Sequence, residues 1–272
     1  MPLSPGKLLG FLPALAVLIG CRAGETSRVT LPSQFTIDQD PLVVHSDFPL
    51  SKDDRLVAEL AAGRGNLEKM LDLSIPKETI HIYLFEHPDQ FREYRRLYHP
   101  DFPDRRAFFF PTKTHLVVFA QWGDHVAEDL RHEVTHGYLH AAVPNLPLWL
   151  DEGLAKYCEA PRGRHGINRP YLEQLVRRIT QTTWRPNLPR LEQWDPTQDM
   201  SQQDYAESWA WVHLLLESGP ECQGVLREYL KAIRRDASAG PISSRLARVV
   251  GAPERALLDH LHKLAASDGN RS

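Results

Sequence analysis

The first half of the chain carries short apolar runs in which β-branched and aromatic side chains predominate. Such runs, bounded by polar and turn-forming residues, predict β-strands. Leucine, valine and methionine also recur there at helical intervals, which predict amphipathic helices between the strands. The predicted strands are residues 43–44, 80–85, 108–110 and 115–120, the last two forming a hairpin, and the predicted helices are residues 52–71 and 88–98.

The second half of the chain has amphipathic helical patterns and no comparable strand signal. Its predicted helices are residues 171–180, 205–217, 221–235 and 253–266. We therefore expect an α+β fold in one domain of residues 41–270. Its mixed α/β N-terminal lobe, with a small sheet, would span about residues 41–131, and its helical C-terminal lobe about residues 132–270.

The amino terminus has the pattern of an export signal. Lys7 precedes an apolar stretch, residues 8–19, that is too short to span a bilayer but suits a signal peptide. The stretch ends in Leu-Ile-Gly-Cys, which resembles the lipobox of bacterial lipoproteins. This resemblance implies that residues 1–20 are removed, that Cys21 is lipidated, and that residues 21–40 form a flexible tether to the bacterial cell envelope, in the periplasm or on the outer surface. A conventional signal peptide cut near Ala23 is the alternative, and both readings export the protein.

Composition is that of a folded globular protein, with 42% hydrophobic and 25% charged residues. The formal net charge is −3 and no long basic block occurs, so the charge pattern argues against a nucleic-acid partner. If Cys21 carries lipid, Cys158 and Cys222 remain. Export would permit a disulfide between them, but their sequence positions leave open whether they meet.

Residues 132–136 read His-Glu-Val-Thr-His, an H-E-x-x-H motif inside a helical pattern. Residues four apart lie on the same helix face, so His132 and His136 can bind one metal ion. A bound zinc ion lowers the pKa of water, and Glu133 is placed to accept the proton of that water as a general base. His140 lies at the wrong offset for a metzincin ligand, and we interpret it as an ordinary helix residue.

Zinc enzymes usually supply three protein ligands and leave a fourth position open for water. Thirteen residues after His136, the sequence Trp-Leu-Asp-Glu-Gly at 149–153 begins a second helical segment. Glu152 in this segment is our candidate for the third ligand.

H-E-x-x-H followed by W-L-x-E-G-x-x-x-Y-x-E resembles the gluzincin metallopeptidases, and especially the bacterial peptidase MA-like family. The resemblance implies a thermolysin-like zincin fold with the zinc helix at the cleft between the lobes. It also implies that Glu152 is the third zinc ligand and that Glu159 supports a ligating histidine. A further segment beginning at Tyr205 resembles the gluzincin helix whose tyrosine donates a hydrogen bond to the oxyanion.

The expected function is that of a zinc metallopeptidase, a hydrolase with one Zn²⁺ per chain and a peptide or protein substrate. Two alternatives stay open: a catalytically silent zinc-binding module of the envelope, and a zinc hydrolase with a non-peptide substrate. The chain lacks the G-x-M-E-N signature of aminopeptidases before the motif, so exopeptidase action is not implied.

Two further segments have open interpretations. Residues 114–120 occupy the place of the gluzincin edge strand that pairs with peptide substrate, although an interior strand is an equal alternative. Residues 161–170 form a basic loop rich in glycine and proline, which either folds over the cleft, where His165 or an arginine would contact substrate, or is an exposed connection.

Overall fold

The computed structural model describes residues 29–112, 114–195, 197–236 and 239–269. The expected signal peptide and the lipidation site Cys21 lie outside the described residues. Within the described ranges the chain forms a mixed α/β structure of five strands and ten helices, compatible with the expected α+β class. No described helix is long and apolar enough to cross a membrane.

The five strands form one mixed sheet in the order β1-β2-β3-β5-β4. The two central pairs, β2 with β3 and β3 with β5, are parallel, whereas β1 and β4 pair antiparallel at the two edges. The strands are β1 (Phe35–Gln39), β2 (Leu42–Ser46), β3 (Ile80–Phe85), β4 (Ala107–Pro111) and β5 (Leu116–Gln121).

The ten helices follow the sheet in chain order except for α1 and α2, which connect its strands. They are α1 (Arg55–Leu71), α2 (Pro88–Tyr98), α3 (Val126–Ala142), α4 (Leu148–Cys158), α5 (Arg169–Gln181), α6 (Leu188–Glu192), α7 (Gln202–Glu217), α8 (Pro220–Arg235), α9 (Ile242–Val250) and α10 (Pro253–Gly269). The predictions of β3 and α2 are confirmed at both ends. The short helices α6 and α9 were not predicted.

Strand β1 corrects the expected boundary of the tether, residues 21–40. It lies inside that segment and pairs along its whole length with β2. Ile37 is the one buried side chain of β1, and the other four side chains of this edge strand face solvent. A strand with one buried side chain has too little apolar pattern to be recognised in the sequence.

Alternating side chains cover the two faces of the sheet differently. Ile80, Ile82 and Leu84 of β3 point into the main hydrophobic core, where α1 and α3 pack. Phe85 points to the opposite face and packs with Phe91 of α2 in a smaller aromatic cluster. The period of two therefore places α3 on one face of β3 and α2 on the other.

The edge strand next to α3 is β4, not β5. Strand β5 lies between β3 and β4, so the expectation that residues 114–120 form an edge strand is wrong and the interior alternative holds. The hairpin folds in this way because β5 pairs in parallel with β3, which leaves only the outer side of β5 for β4.

The helical half packs on α3 and continues the same core. Buried residues of the sheet, α3, α4 and α7 belong to one hydrophobic cluster that extends to Leu261 of α10. The two expected lobes are thus joined by a shared core. Helix α3, which carries the H-E-x-x-H motif, contacts β4 and β5 on one side and α4 on the other.

Candidate metal centre

Helix α3 holds the H-E-x-x-H residues in the interior of the protein. His132, Glu133 and His136 are each less than 8% exposed. Glycine at position 137 lets α3 approach the sheet closely, because a Cβ atom there would lie 2.7 Å from Cδ1 of Ile80. The glycine after the second histidine therefore fixes the depth of the motif against β3.

Three ligand atoms converge between α3 and α4. His132 Nε2 lies 3.1 Å from His136 Nε2, and Glu152 Oε2 lies 3.4 Å from the former and 3.8 Å from the latter. Tetrahedral zinc with ligand bonds of about 2.0–2.2 Å separates its ligands by about 3.4 Å. The spacing of the three atoms therefore fits a single metal ion of that size, and these buried residues could hold one.

Each histidine has a carboxylate at its other ring nitrogen. His132 Nδ1 lies 2.9 Å from Glu159 Oε1, and His136 Nδ1 lies 2.9 Å from Asp151 Oδ1. A carboxylate at this position fixes the tautomer and orientation of a ligating imidazole. The structure thus places Glu159 where the family resemblance implies it, beside His132.

Asp151 was not predicted as a site residue. It lies next to Glu152 on α4, and its second oxygen, Oδ2, is 2.9 Å from Nε2 of His140. His140, interpreted from the sequence as an ordinary helix residue, therefore contacts the site through Asp151. The useful signal was the adjacency of two carboxylates, which lie about 100° apart around a helix and can reach different histidines.

The electrostatics of the centre favour a cation. With Nδ1 of each histidine facing a carboxylate, both Nε2 atoms face each other and the Glu152 oxygen. Burial alone would lower the pKa of His132, but Glu152 and Glu159 raise it to about 10. Burial likewise opposes the charge on His136, whose pKa Asp151 and Glu152 nevertheless raise. Excess negative charge in a buried cluster is the condition in which a metal cation binds well.

A second set of potential ligands overlaps the first. His136, His140 and Asp151 also have ligand atoms close enough to hold an ion. Asp151, however, lies against the nitrogen of His136 that points away from Glu152, as a supporting carboxylate would. The three buried residues of the first set therefore form the better-defined centre, and His140 and Asp151 support it from outside.

Glu133 lies beside the centre and contacts the edge of the sheet. Its Oε2 accepts a 2.7 Å hydrogen bond from the backbone N–H of Phe109 on β4. This bond fixes the carboxylate next to His132 and His136. It also shows that the unpaired side of β4 faces the metal centre.

Tyr205 reaches the centre from the first turn of α7. Ser201 and Asp204 form a reciprocal capping box that starts this helix, three residues earlier than predicted. The Tyr205 hydroxyl accepts a 2.8 Å hydrogen bond from Nη2 of Arg105. Burial and then Glu152 raise the pKa of Tyr205, so its hydroxyl keeps its proton at neutral pH.

Helices α4 and α7 cross closely at Gly153, the residue after Glu152. A Cβ atom at this position would lie 2.7 Å from the carbonyl oxygen of Ser208 and 2.7 Å from Cγ2 of Val212. A side chain would push α7 away from α4. The glycine of the W-L-D-E-G segment therefore allows α4, which carries Glu152, to pack closely against α7, which carries Tyr205.

These residues line a polar cleft of about 450 Å³. Its walls include His132, Glu133, Glu152, Glu159 and Tyr205, five of the six predicted site residues that fall in the described part of the chain. The sixth, His136, lines an adjoining hollow of about 300 Å³ together with Phe109. The chain thus brings all six together.

The basic loop does not line this cleft. Residues 161–163, 165 and 166 instead border an apolar pocket between α1 and α3, and Arg162 contacts the backbone oxygen of Glu59 on α1. The interpretation in which His165 or an arginine of this loop covers the site is therefore wrong. Cys158 and Cys222 are both free thiols, which answers the question of a disulfide between them.

The chain matches no protein-family model. It also matches no curated protein sequence. The class of protein must therefore be inferred from the centre itself, a buried set of two imidazoles and one carboxylate with a second carboxylate, Glu133, beside it.

Proposed function

We propose that the protein is a zinc-dependent hydrolase, and most specifically a metallopeptidase of the gluzincin type with a thermolysin-like fold. The observation that carries the proposal is the convergence of His132 Nε2, His136 Nε2 and Glu152 Oε2 within 3.8 Å of one another in a buried position. Two imidazoles and one carboxylate are the ligands of many peptidase zinc sites, which leave one position open.

The side chains around the centre suit hydrolysis of an amide. Zinc, when bound, would polarise a substrate carbonyl and acidify a water molecule. Glu133 then accepts the proton of the attacking water and passes it to the leaving amine. The Tyr205 hydroxyl, protonated and directed into the same cleft, donates a hydrogen bond to the oxyanion that develops on the carbonyl oxygen.

The unpaired side of β4 supports a peptide as the substrate. Because Phe109 N–H points to Glu133, the outer side of this edge strand lies beside the centre. An extended peptide can add to such an edge through backbone hydrogen bonds that do not depend on its side chains. This role belongs to β4 in place of residues 114–120.

Metal analysis tests the proposal most directly. We would express residues 25–272, purify the protein without chelators, and measure zinc by elemental mass spectrometry. About one zinc per chain is expected in the wild type and in His140→Ala, and loss of zinc is expected in His136→Ala and Glu152→Ala. Zinc that persists in Glu152→Ala and disappears in His140→Ala would move the metal to the second ligand set. A wild type that binds no zinc after reconstitution would overturn the proposal.

We also propose that the protein is exported and anchored in the bacterial envelope through a lipidated Cys21. The support is the lipobox-like ending of the apolar segment 8–19. Mass spectrometry of the mature amino terminus tests it, since a lipoprotein begins at a diacylated Cys21. A mature protein that begins near Ala23 would show a conventional signal peptide instead.

A further inference from the structure

Arg105 occupies the junction of the two hollows beside the metal centre. It precedes β4, and it borders both the cleft that contains His132 and the hollow that contains His136. Glu133 and Glu152 are the other two residues common to both hollows. A substrate that extends through both hollows would therefore lie beside Arg105.

The other cations of the cleft are already neutralised. Arg106 forms two 2.8 Å hydrogen bonds to Asp129, Lys156 Nζ lies 2.5 Å from Glu159 Oε1, and Arg92 forms an ion pair with Asp89. Arg105, by contrast, makes no ion pair with a carboxylate among the described residues. Its guanidinium instead donates a hydrogen bond to the neutral hydroxyl of Tyr205.

The carboxylates whose negative charge raises the pKa of Arg105 belong to the metal centre. Burial disfavours the charge of Arg105, while Tyr205, Glu152 and Glu133 together raise its pKa. A cation in the centre would neutralise most of the charge of Glu152, and Glu133 works as the base. The guanidinium has five N–H donors, and its hydrogen bond to Tyr205 uses one of them.

We propose that Arg105 forms a carboxylate-binding subsite, so that the preferred substrates are peptides with a free carboxylate close to the scissile bond. This rests on the proposed peptidase function. A guanidinium binds a carboxylate through two parallel N–H···O bonds, a geometry that lysine cannot reproduce. The hydrogen bond from Nη2 to the Tyr205 hydroxyl holds the guanidinium in place. The residue that binds the substrate carboxylate thereby contacts the residue that donates to the oxyanion.

A binding experiment tests the subsite without requiring turnover. Immobilised Glu133→Gln protein loaded with zinc would be exposed to a pool of tryptic peptides, and to the same pool after its carboxylates have been converted to methyl esters. We expect retention of peptides from the untreated pool only. Equal retention of both pools, or retention of neither, would overturn the proposal.

Variants then assign the preference to Arg105. In the Glu133→Gln background, Arg105→Ala is expected to weaken binding of a retained peptide by about tenfold to a hundredfold, as loss of charge-assisted hydrogen bonds does. Arg106→Ala, which removes the neighbouring but paired cation, is the matched control and is expected to keep the preference for free carboxylates. Undiminished binding by Arg105→Ala would show that the guanidinium only positions Tyr205.

Two synthetic series identify which carboxylate is bound. Retained peptides would be compared with forms that carry a C-terminal amide, and with forms in which aspartate and glutamate are replaced by asparagine and glutamine. Weaker binding of the first form identifies the chain terminus, and weaker binding of the second identifies a side chain. Incubation of the retained peptides with wild-type protein separates the two proposals, because binding without cleavage contradicts the peptidase function and leaves the subsite standing.

Discussion

Asp151 Oδ1 lies 2.9 Å from Nδ1 of His136, on the side of the ring opposite to the nitrogen that faces Glu152. Two neighbouring residues of α4 thus act on the same imidazole, one as a potential ligand and the other as its support. Burial would raise the pKa of Asp151, but His136 and then His140 hold it well below its usual range. The carboxylate is therefore ionised and able to accept a hydrogen bond from the Nδ1–H of His136.

Replacing Asp151 by asparagine should weaken metal binding without abolishing it. The amide is uncharged and its oxygen is a poorer hydrogen-bond acceptor. His136 therefore loses part of the negative charge at Nδ1 that makes its Nε2 a strong metal ligand. Supporting carboxylates of this kind usually contribute a factor of about 10–100 in affinity. Competition with a zinc chelator would measure the change. An affinity equal to that of the wild type would remove Asp151 from the centre.

Replacing Glu133 by glutamine should abolish hydrolysis while zinc remains bound. Glutamine has almost the same shape and its amide oxygen can still accept the hydrogen bond from Phe109, but it cannot take a proton from water. Loss of a general base typically lowers the rate by a factor of about 10²–10⁴ or more. Turnover of a cleaved peptide and zinc content would be measured together. Retained turnover at full zinc occupancy would exclude Glu133 as the base.

Replacing Tyr205 by phenylalanine should lower kcat more than it changes KM. The ring still fills its place in the cleft, and only the hydroxyl that would stabilise the oxyanion is lost. Removal of one such donor costs a factor of about 10²–10³ in kcat in other hydrolases. Steady-state kinetics with a cleaved peptide would provide both constants. An unaltered kcat would leave Tyr205 as a packing residue.

Gly153→Ala should destabilise the fold, although alanine is the better helix former. The new methyl group would meet the backbone oxygen of Ser208 at 2.7 Å, and overpacking of this kind costs about 1–3 kcal/mol. The gain in helix propensity offsets up to about 1 kcal/mol of that cost. Urea denaturation should therefore show a net loss of up to about 2 kcal/mol.

Gly224→Ala is the matched control for this prediction. Gly224 lies within α8, and a Cβ atom there would have no neighbour within 4 Å among the described atoms. The same substitution should thus stabilise the protein by about 0.5–1 kcal/mol. If both variants changed stability by the same amount, the close crossing of α4 and α7 would not be the cause.

The elements that could be predicted are those with a strong apolar pattern. Strand β3 has four buried side chains in six residues and α2 begins with proline, so the first and last residues of both elements were predicted correctly. Strand β1 has a single buried residue, and the short helix α6 has only two, so neither produces a recognisable pattern. The order of β4 and β5 was also missed, since a hairpin pattern does not determine which of its strands joins the sheet.

The residues of the centre that lie close together in the sequence could be predicted from their spacing. His132 and His136 are related by one helical turn, and Glu152 follows within a recognisable segment. Arg105 gave no signal because it lies in an irregular connection and meets Tyr205 across 100 residues of sequence. The position of Arg105 depends on the packing of β4 against α3 and of α7 against α4. These tertiary contacts cannot be predicted from a periodic pattern in the sequence.

A pair of histidines away from the centre should make the fold sensitive to acid. His213 Nδ1 of α7 lies 2.9 Å from His260 Nε2 of α10, and His260 Nδ1 lies 3.0 Å from the hydroxyl of Ser218. Burial, with a smaller contribution from His260, lowers the pKa of His213 to about 3. Burial and Lys263 lower the pKa of His260 to about 4.

Because both pKa values are lowered in the folded protein, acid destabilises the fold. In the unfolded chain both histidines bind protons near pH 6.5, whereas in the folded protein they stay neutral until the pH is far lower. As the pH falls below 6.5 the unfolded state is therefore favoured, by about 1.4 kcal/mol per pH unit for each histidine. The loss continues to about pH 4 for His260 and to about pH 3 for His213, and above pH 7 the pair has no effect.

Urea denaturation of metal-free protein at pH 6.5, 5.5 and 4.5 would measure this dependence. Metal-free protein is used because acid also releases a bound metal, which would add its own pH dependence. His260→Gln removes one of the two groups and keeps a hydrogen-bonding side chain, so its stability should fall less steeply by about 1.4 kcal/mol per pH unit. The other titrating groups are common to both proteins and cancel in the difference. Parallel curves for the two proteins would mean that His260 is already protonated in the folded state or that the α7–α10 contact opens before it titrates.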